Sequence, residues 1–133
     1  MKSLKVQKKS DCKICLIHSS ENSPILFESK IFFTRKAEPE KNCPGYLYIE
    51  PKKHIENFTE FTSDEFTEFG LLMEKSVRWI YANFKPLKLY TVTVSEAVPH
   101  IHWHLVPRYS DELKGFAYIQ SALEGRLPEI NAF

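Results

Sequence analysis

Long apolar runs and an excess of charge of one sign are both missing from this sequence. No stretch approaches the roughly 20 apolar residues that a membrane span needs. The 18 basic and 17 acidic residues leave a net charge of +1, so electrostatics gives no reason to expect nucleic acid or a membrane as a partner. Four lysines precede Asp11, but no apolar segment follows them, which argues against a secretory signal. A cytoplasmic protein is expected.

Cysteine is also scarce, and its odd count of three does not suit a framework of disulfides. Cys12 and Cys15 form a C-x-x-C pair, which in a reducing compartment is typical of a metal-binding or redox site. The alternative is that both are small buried apolar residues. Cys43 stands before Pro44 in a predicted loop and is interpreted as incidental.

The chain does contain enough apolar residues, 43% with 14% aromatic, to form a packed core in its 133 residues. One domain spanning residues 1–133 is expected, with residues 1–10 loosely held. Strand patterns cover residues 25–27, 31–34, 46–50, 87–94 and 98–107. A long amphipathic helix is predicted from an N-cap at Ser63 to a stop before Pro86, and a short helix within residues 111–125. These elements indicate an α+β fold with an antiparallel sheet.

The most unusual stretch is HIHWHLVPRY, residues 100–109, which holds three of the five histidines. On a strand, His100, His102 and His104 would share one face, while Ile101, Trp103 and Leu105 would pack against the long helix. Three interpretations stay open at this point. The histidines could be a surface stripe without a role, a zinc site built on H-x-H, or a nucleophile with a neighbour that handles a phosphate.

This stretch resembles the motif of the histidine triad (HIT) family, in which three histidines alternate with apolar residues before Pro-Arg. PGYLYIEPKKHIENF, residues 44–58, and CKIC near the N-terminus resemble two further segments of that family. The resemblance covers residues 11–109 and implies a HIT-like fold with a sheet of about five strands, one long helix and a short N-terminal zinc knuckle. It also implies a nucleotide or nucleoside-phosphate partner, and a homodimer.

Individual roles follow from the resemblance. His102 matches the nucleophile that forms a phosphohistidine, and His104 matches the histidine that contacts the phosphate oxygens. A structural zinc ion is implied, with four ligands: Cys12, Cys15, His54 and His100. His18 is expected in a loop, and a role as an alternative ligand stays open.

Several positions depart from the family pattern. The phosphate-binding segment is matched by Ser95, Glu96 and Ala97, where the carboxylate of Glu96 would repel a phosphate. The family's ribose-binding acidic residue falls near residues 34–35, that is, Thr34 or Arg35, and Arg35 could contact phosphate instead. Tyr46 stands where a histidine is usual, a change expected to concern strand packing more than chemistry.

Two functions are therefore weighed. The first is a nucleotide-phosphate hydrolase or nucleotidyl transferase that acts through phospho-His102 on a nucleoside phosphoramidate, a dinucleoside polyphosphate or a similar compound. The second, motivated by Glu96 and the altered recognition positions, is a zinc-stabilised nucleotide-binding module with little or no catalysis. A catalytic zinc ion held by His102 and His104 is a third interpretation.

Overall fold

The computed structural model describes residues 11–20 and 24–130. Two short 3-10 helices, Pro39–Lys41 and Phe58–Glu60, lie in connections. The main elements are α1 (Lys13–His18), β1 (Ile25–Glu28), β2 (Phe32–Lys36), β3 (Leu47–Pro51), α2 (Ser63–Phe84), β4 (Lys88–Val92), β5 (Trp103–Arg108) and α3 (Gly115–Leu123). The predicted α+β fold with one long helix is confirmed. The looseness predicted for residues 1–10 lies outside the described residues.

The strands form one five-stranded sheet in the order β1-β2-β3-β5-β4, and every neighbouring pair is antiparallel. Strands β3 and β5 are neighbours in its interior, and their register places Tyr48 opposite His104. This pairing brings the segment before β5 next to residues that are far away in sequence. None of the helices among the described residues is long and apolar enough to cross a membrane.

Helix α2 begins with a capping box one residue earlier than the sequence predicted. Thr62, and not Ser63, is the N-cap: its Oγ1 accepts from the backbone N–H of Glu65 at 3.1 Å. The Glu65 carboxylate in turn accepts from the backbone N–H of Thr62 at 2.9 Å. The helix ends as predicted, because Lys85 adopts a left-handed φ of 50° and Pro86 follows it.

Helix α2 covers one face of the sheet and forms the main core with it. The buried side chains of this core are Phe32, Leu47, Ile49, Ile55, Phe61, Leu72, Ile80, Ile101 and Leu105. Trp103 packs on the same side, with its ring centroid 4.2 Å from that of Phe69 in the helix. The predicted packing of the apolar residues between the histidines is thus confirmed.

The strand predicted over residues 98–107 is wrong at its beginning. Strand β5 starts only at Trp103, so His100 and His102 lie in the loop before it. Pro99 cannot donate to a ladder, and Ser95 has a left-handed φ of 54°, so the chain leaves the sheet between β4 and β5. The three histidines therefore do not share one face: His100 is fully buried.

The sheet face opposite α2 carries polar side chains. Tyr48 and Glu50 of β3, His104 of β5 and Arg35 of β2 lie there, as strand alternation and the pairing of Arg35 with Tyr48 require. Part of this face is covered by α3 and the segment after it, which form a second apolar cluster with the start of β3. The remaining part carries the candidate site.

Two neighbouring leucines of α2 test how the core stabilises the fold. Leu72 is 5% exposed and Leu71 is 65% exposed. We expect Leu72→Ala to lower the free energy of unfolding by about 2–5 kcal/mol, because it leaves a cavity in the core. Leu71→Ala, the matched control, should change it by less than about 0.5 kcal/mol. Urea unfolding measures both, and equal effects would contradict the packing of α2 described above.

Candidate functional site

Backbone hydrogen bonds fix the position of His102 before β5 begins. Its backbone N–H donates to Oγ of Ser95 at 3.1 Å, and its carbonyl accepts from the hydroxyl of Thr93 at 2.9 Å. The left-handed conformation of Ser95 is what brings its side chain back onto His102. The backbone N–H and the carbonyl of His102 are therefore both hydrogen-bonded to the segment that follows β4.

The imidazole of His102 is held in one tautomer. Its Nδ1 lies 2.8 Å from the carbonyl oxygen of His100. A carbonyl oxygen can only accept, so this geometry places the hydrogen of the neutral ring on Nδ1. The other nitrogen, Nε2, then carries a lone pair. Such a nitrogen is the nucleophilic atom of a histidine.

His104 is held in the opposite tautomer. The hydroxyl of Tyr46 lies 2.7 Å from Nδ1 of His104. An unprotonated imidazole nitrogen is a better hydrogen-bond acceptor than a phenol oxygen, so the Tyr46 hydroxyl donates to Nδ1. Burial raises the pKa of Tyr46 well above its usual range, which keeps the hydroxyl protonated. Burial, and then the neighbouring His102, lower the pKa of His104 to about 4. At neutral pH His104 is therefore uncharged and bears its hydrogen on Nε2.

The two rings lie side by side at one cavity, with centroids 4.9 Å apart. The cavity has a volume of about 80 Å³. Its lining consists of Lys13, Ile14, Ile17, Arg35, Glu38, Tyr48, Val98, His102 and His104. His102, with a lone pair on Nε2, and His104, with a hydrogen on Nε2, thus line one small, partly polar cavity.

A buried ion pair lies beside this cavity. Arg35 donates to the Glu50 carboxylate through Nε at 3.0 Å and Nη2 at 2.7 Å, and its guanidinium lies 4.4 Å from the centre of the Tyr48 ring. His18 donates to Glu50 through Nε2, at 2.8 Å. Burial acts to raise the pKa of Glu50, but the hydrogen bonds from His18 and Arg35 outweigh it and lower the pKa to about 2.

This arrangement changes the expectations for Thr34 and Arg35 and adds a lining residue that the sequence did not indicate. Thr34 is buried on the helix side, where its hydroxyl lies 2.9 Å from that of Ser76, so it is not available to a ligand at the cavity. Arg35 does reach the cavity, but Glu50 occupies its guanidinium. The acidic residue in the lining is Glu38, which the sequence reasoning missed because Glu38 follows β2 in a loop without strand periodicity.

Tyr46 is buried in the second apolar cluster, in agreement with the expected packing role, but it also makes a polar contact that the sequence reasoning missed. Its hydroxyl contacts the predicted catalytic His104 directly. The available signal was strand alternation, since Tyr46 lies two residues before Tyr48, the partner of His104 in the ladder.

The three residues of the predicted phosphate-binding segment take different positions. Ser95 is partly buried and bonds to His102, as described above. Glu96 and Ala97 are exposed and are not part of the cavity lining. A phosphate-binding role for these three residues stays a prediction.

Four further side chains converge behind the histidine pair. The ligand atoms of Cys12, Cys15, His54 and His100 all lie within 4.8 Å of one another. Nδ1 of His100 lies 3.6 Å from Sγ of Cys12 and 3.4 Å from Sγ of Cys15, and Nδ1 of His54 lies 3.5 Å from Sγ of Cys15. Tetrahedral zinc ligands are separated by roughly 3.3–3.8 Å, given the usual Zn–S and Zn–N bond lengths. The donor set and these three separations therefore fit this ion.

In His54 and His100, the ring nitrogen Nε2 points away from the cysteines and has its own hydrogen-bond partner, as is usual for the second nitrogen of a metal-binding histidine. Nε2 of His100 donates to the carbonyl of Pro51 at 2.8 Å, and Nε2 of His54 lies 2.6 Å from the carboxylate of Glu56. His18, the alternative ligand, is instead bonded to Glu50. Among the described residues the cluster does not include His102 or His104, which leaves the interpretation of a catalytic zinc ion on that pair without support.

Comparison with known proteins places this geometry in context. The model of the HIT domain matches residues 20–111. The protein hit of Bacillus subtilis is 34% identical over 70 residues, which are 49% of this chain and 48% of that protein. The chain thus spans about half the length of the curated relatives it matches.

Solved structures agree in fold. A member of the HIT family from Bacillus subtilis has a TM-score of 0.65 and 25% identity, covering 90% of this chain and 99% of that one. A zinc-bound histidine triad family protein from Mycobacterium smegmatis also has a TM-score of 0.65, with 16% identity, covering 87% of this chain and 91% of that one.

The low pKa of His104 predicts a dependence of stability on pH. The pKa is about 4 in the folded chain, against an ordinary value of 6.5. Between these values the unfolded state binds a proton that the folded state does not. The contribution of His104 to the free energy of unfolding should therefore be fully present above pH 6.5. It should be lost as the pH drops towards 4, which lowers the free energy of unfolding by at most about 3 kcal/mol.

Urea unfolding of the wild type and of His104→Gln between pH 4 and 7.5 measures this contribution. The variant cannot titrate at this position, so its stability should depend less steeply on pH. Identical pH dependence of the two proteins would contradict the assignment.

Proposed function

The chain belongs to the HIT domain family, and we propose that it is a hydrolase or nucleotidyl transferase that works through a phosphohistidine on His102. Family membership supports a nucleotide-binding or hydrolase-type function in general. The observation that carries the finer proposal is the tautomer of His102, whose Nδ1–H is bonded to a carbonyl so that Nε2 is free to attack. The proposed substrate is a nucleoside phosphoramidate, a dinucleoside polyphosphate or a similar phosphoryl compound.

The proposed reaction has two halves. In the first, the lone pair on Nε2 of His102 forms a bond to phosphorus, while the bond from phosphorus to the leaving oxygen or nitrogen breaks. The leaving group keeps the bonding electrons and takes a proton from water. In the second half, water or another hydroxyl acceptor forms a new O–P bond and releases a proton, and the electrons of the N–P bond return to Nε2.

His104 and Lys13 would supply electrostatic stabilisation. The Nε2–H of His104 can donate to a phosphoryl oxygen without adding a charge, and Tyr46 fixes its direction. Within residues 11–20 and 24–130, the exposed ammonium of Lys13 is the cation of the lining for which the structure shows no carboxylate partner. Donors that are already oriented stabilise the charge that develops on the phosphoryl oxygens.

The alternative, a binding module with little catalysis, loses one of its two motivations. The carboxylate of Glu96, expected next to the phosphate, is exposed and outside the cavity lining, whereas the altered recognition positions are unchanged as a motivation. Binding of nucleotide without any turnover would still favour it.

We propose that the cluster of Cys12, Cys15, His54 and His100 holds a structural zinc ion. Four protein ligands leave no open position for a substrate, so the ion would act on the fold and not on the reaction. It would join α1 to the loop before β5 and to the segment after β3. The homodimer and the cytoplasmic location stay predictions.

Removing the nucleophile tests the reaction. His102→Ala should lower turnover by at least about 10³-fold and abolish a trapped phosphohistidine. The measurements are product release and acid-labile phosphate on the protein, with phosphoramidate, adenosine 5′-phosphoramidate and a dinucleoside polyphosphate as substrates.

His104→Gln is the companion variant. It removes the oriented donor but keeps the nucleophile, so turnover should fall by roughly 10²–10³-fold while phosphorylation of His102 is still detected. Wild type and His102→Ala that are equally inactive on every substrate would refute the proposed reaction.

The zinc proposal is tested by metal content. The purified protein should contain about one zinc per chain, and Cys12→Ser should lose most of it, because a serine hydroxyl is a poor zinc ligand. Cys43→Ser is the matched control, since Cys43 donates instead to the carbonyl of Pro107 and should keep its zinc. Equal zinc in Cys12→Ser and wild type would remove the proposed ligand set.

A further inference from the structure

Helix α1 forms one wall of the cavity that His102 and His104 line. Lys13, Ile14 and Ile17 of this helix belong to the same lining. The helix has only six residues, and helices this short are not stable on their own in water. Contacts with the rest of the chain must therefore hold this wall in place.

The backbone hydrogen bonds of α1 join residues of the same segment. The N–H of Leu16 donates to the carbonyl of Cys12 at 3.0 Å, and the N–H of Ser19 donates to the carbonyl of Cys15 at 3.1 Å. The buried residues of the main core come from the sheet, α2 and the loops between them, whereas α1 contributes Ile14 to a small separate cluster around the two cysteines. Detachment of α1 would therefore leave the main core closed.

Side chains attach α1 to the rest of the chain at both ends. At its N-terminal end, Nδ1 of His100 lies 3.6 Å from Sγ of Cys12 and 3.4 Å from Sγ of Cys15. At its C-terminal end, Nε2 of His18 donates to the fully buried carboxylate of Glu50 at 2.8 Å. A thiol is only a weak hydrogen-bonding group, so the cysteine end is held firmly only when a metal ion joins sulfur and nitrogen.

The segments that carry the two histidines of the cluster are anchored independently of it. His54 and His100 are each followed by a buried isoleucine of the main core, Ile55 and Ile101. The N–H of Ile101 donates to the carbonyl of Ile55 at 2.7 Å, and Nε2 of His100 donates to the carbonyl of Pro51 at 2.8 Å. The His100 carbonyl, which orients the proposed nucleophile, is therefore held without help from the cysteines.

We propose that α1 is a movable wall of the site, held closed by the metal cluster, so that zinc occupancy determines the affinity for the nucleotide and not the rate of the chemical step. Without the ion, α1 separates from the loop before β5 and removes Lys13, Ile14 and Ile17 from the cavity. His102 and His104 keep their hydrogen bonds. The inference rests on the proposed function and the proposed zinc ion, and it adds the regulation of the same site.

Binding of zinc and of nucleotide should be coupled in both directions. Both ligands bind the form in which α1 is attached, so each must raise the affinity for the other by the same factor, which we expect to be about ten or more. Calorimetry with AMP compares the zinc-loaded with the zinc-free protein, and competition with a chelator gives the zinc affinity with and without saturating AMP. Equal zinc affinity under the two conditions would overturn the inference.

Hydrogen exchange locates the change in the chain. Zinc-free protein is prepared with a chelator under reducing conditions. Without zinc, the amides of Leu16 and Ser19 should exchange about tenfold faster or more, while those of α2 stay within about twofold. Unchanged exchange in α1 would contradict the proposal. Equal acceleration in α2 would contradict it as well, because the ion would then hold the whole fold.

Kinetics with adenosine 5′-phosphoramidate separate binding from chemistry. Removing zinc should raise KM about tenfold or more and leave kcat within about threefold, because the nucleophile keeps its orientation. A loss of kcat at unchanged KM would show that the cluster acts on the nucleophile, against the inference. Cys12→Ser with Cys15→Ser should reproduce the zinc-free values without a chelator. Cys43→Ser, whose parent thiol donates to the carbonyl of Pro107, is the matched control and should keep the wild-type values.

The outcomes distinguish this inference from the proposals on which it rests. No turnover and no phospho-His102 would reject the proposed reaction, while hydrogen exchange and AMP binding still decide whether α1 is released. A purified protein that neither contains nor takes up zinc would reject the metal proposal and this inference together. A zinc-free protein with the α1 exchange and the AMP affinity of the zinc-loaded form would overturn this inference alone.

Discussion

The site depends on one hydrogen bond, from Nδ1–H of His102 to the carbonyl of His100. This bond forms because the chain leaves the sheet before Trp103, so that consecutive histidines are not at equivalent strand positions. The side chain of His100 turns towards the two cysteines, while its carbonyl faces the next histidine. His100 thus joins the cluster of Cys12, Cys15 and His54 through its ring, and it orients His102, the proposed nucleophile, through its backbone carbonyl. Any change that moves His100 therefore acts on both sites.

Two identical side chains at one cavity differ in chemistry because their partners differ. The Nδ1 atom of His102 donates to a carbonyl, and the Nδ1 atom of His104 accepts from the Tyr46 hydroxyl. Consequently Nε2 carries a lone pair in His102 and a hydrogen in His104. Burial keeps His104 uncharged, as its low pKa shows, so the pair can divide the work of attack and stabilisation without a proton moving between the rings.

The sequence was informative where the signal is local. Period-3.6 spacing identified α2, and alternation placed Trp103 and Leu105 on the helix side of the sheet. The ligand set of the cluster followed from the family resemblance. Contacts between strands were not accessible in this way: the bonds of Tyr46 to His104 and of Arg35 to Glu50 depend on ladder register, which neither segment specifies alone. The burial of His100 depends on where the strand begins, and strand ends are weakly encoded.

The buried ion pair of Arg35 and Glu50 needs a reason other than stability. Removing two charges from water costs several kcal/mol per ion, and replacing such a pair by apolar residues is often neutral or stabilising by about 1–4 kcal/mol. The core under α2 shows that this chain can pack apolar side chains tightly elsewhere on the same sheet. The charges lie instead on the face that carries His102 and His104, the proposed catalytic pair, and the Arg35 guanidinium stacks on Tyr48 in the cavity lining. Glu50 thus holds the Arg35 guanidinium in one position, against Tyr48 and at the edge of the cavity.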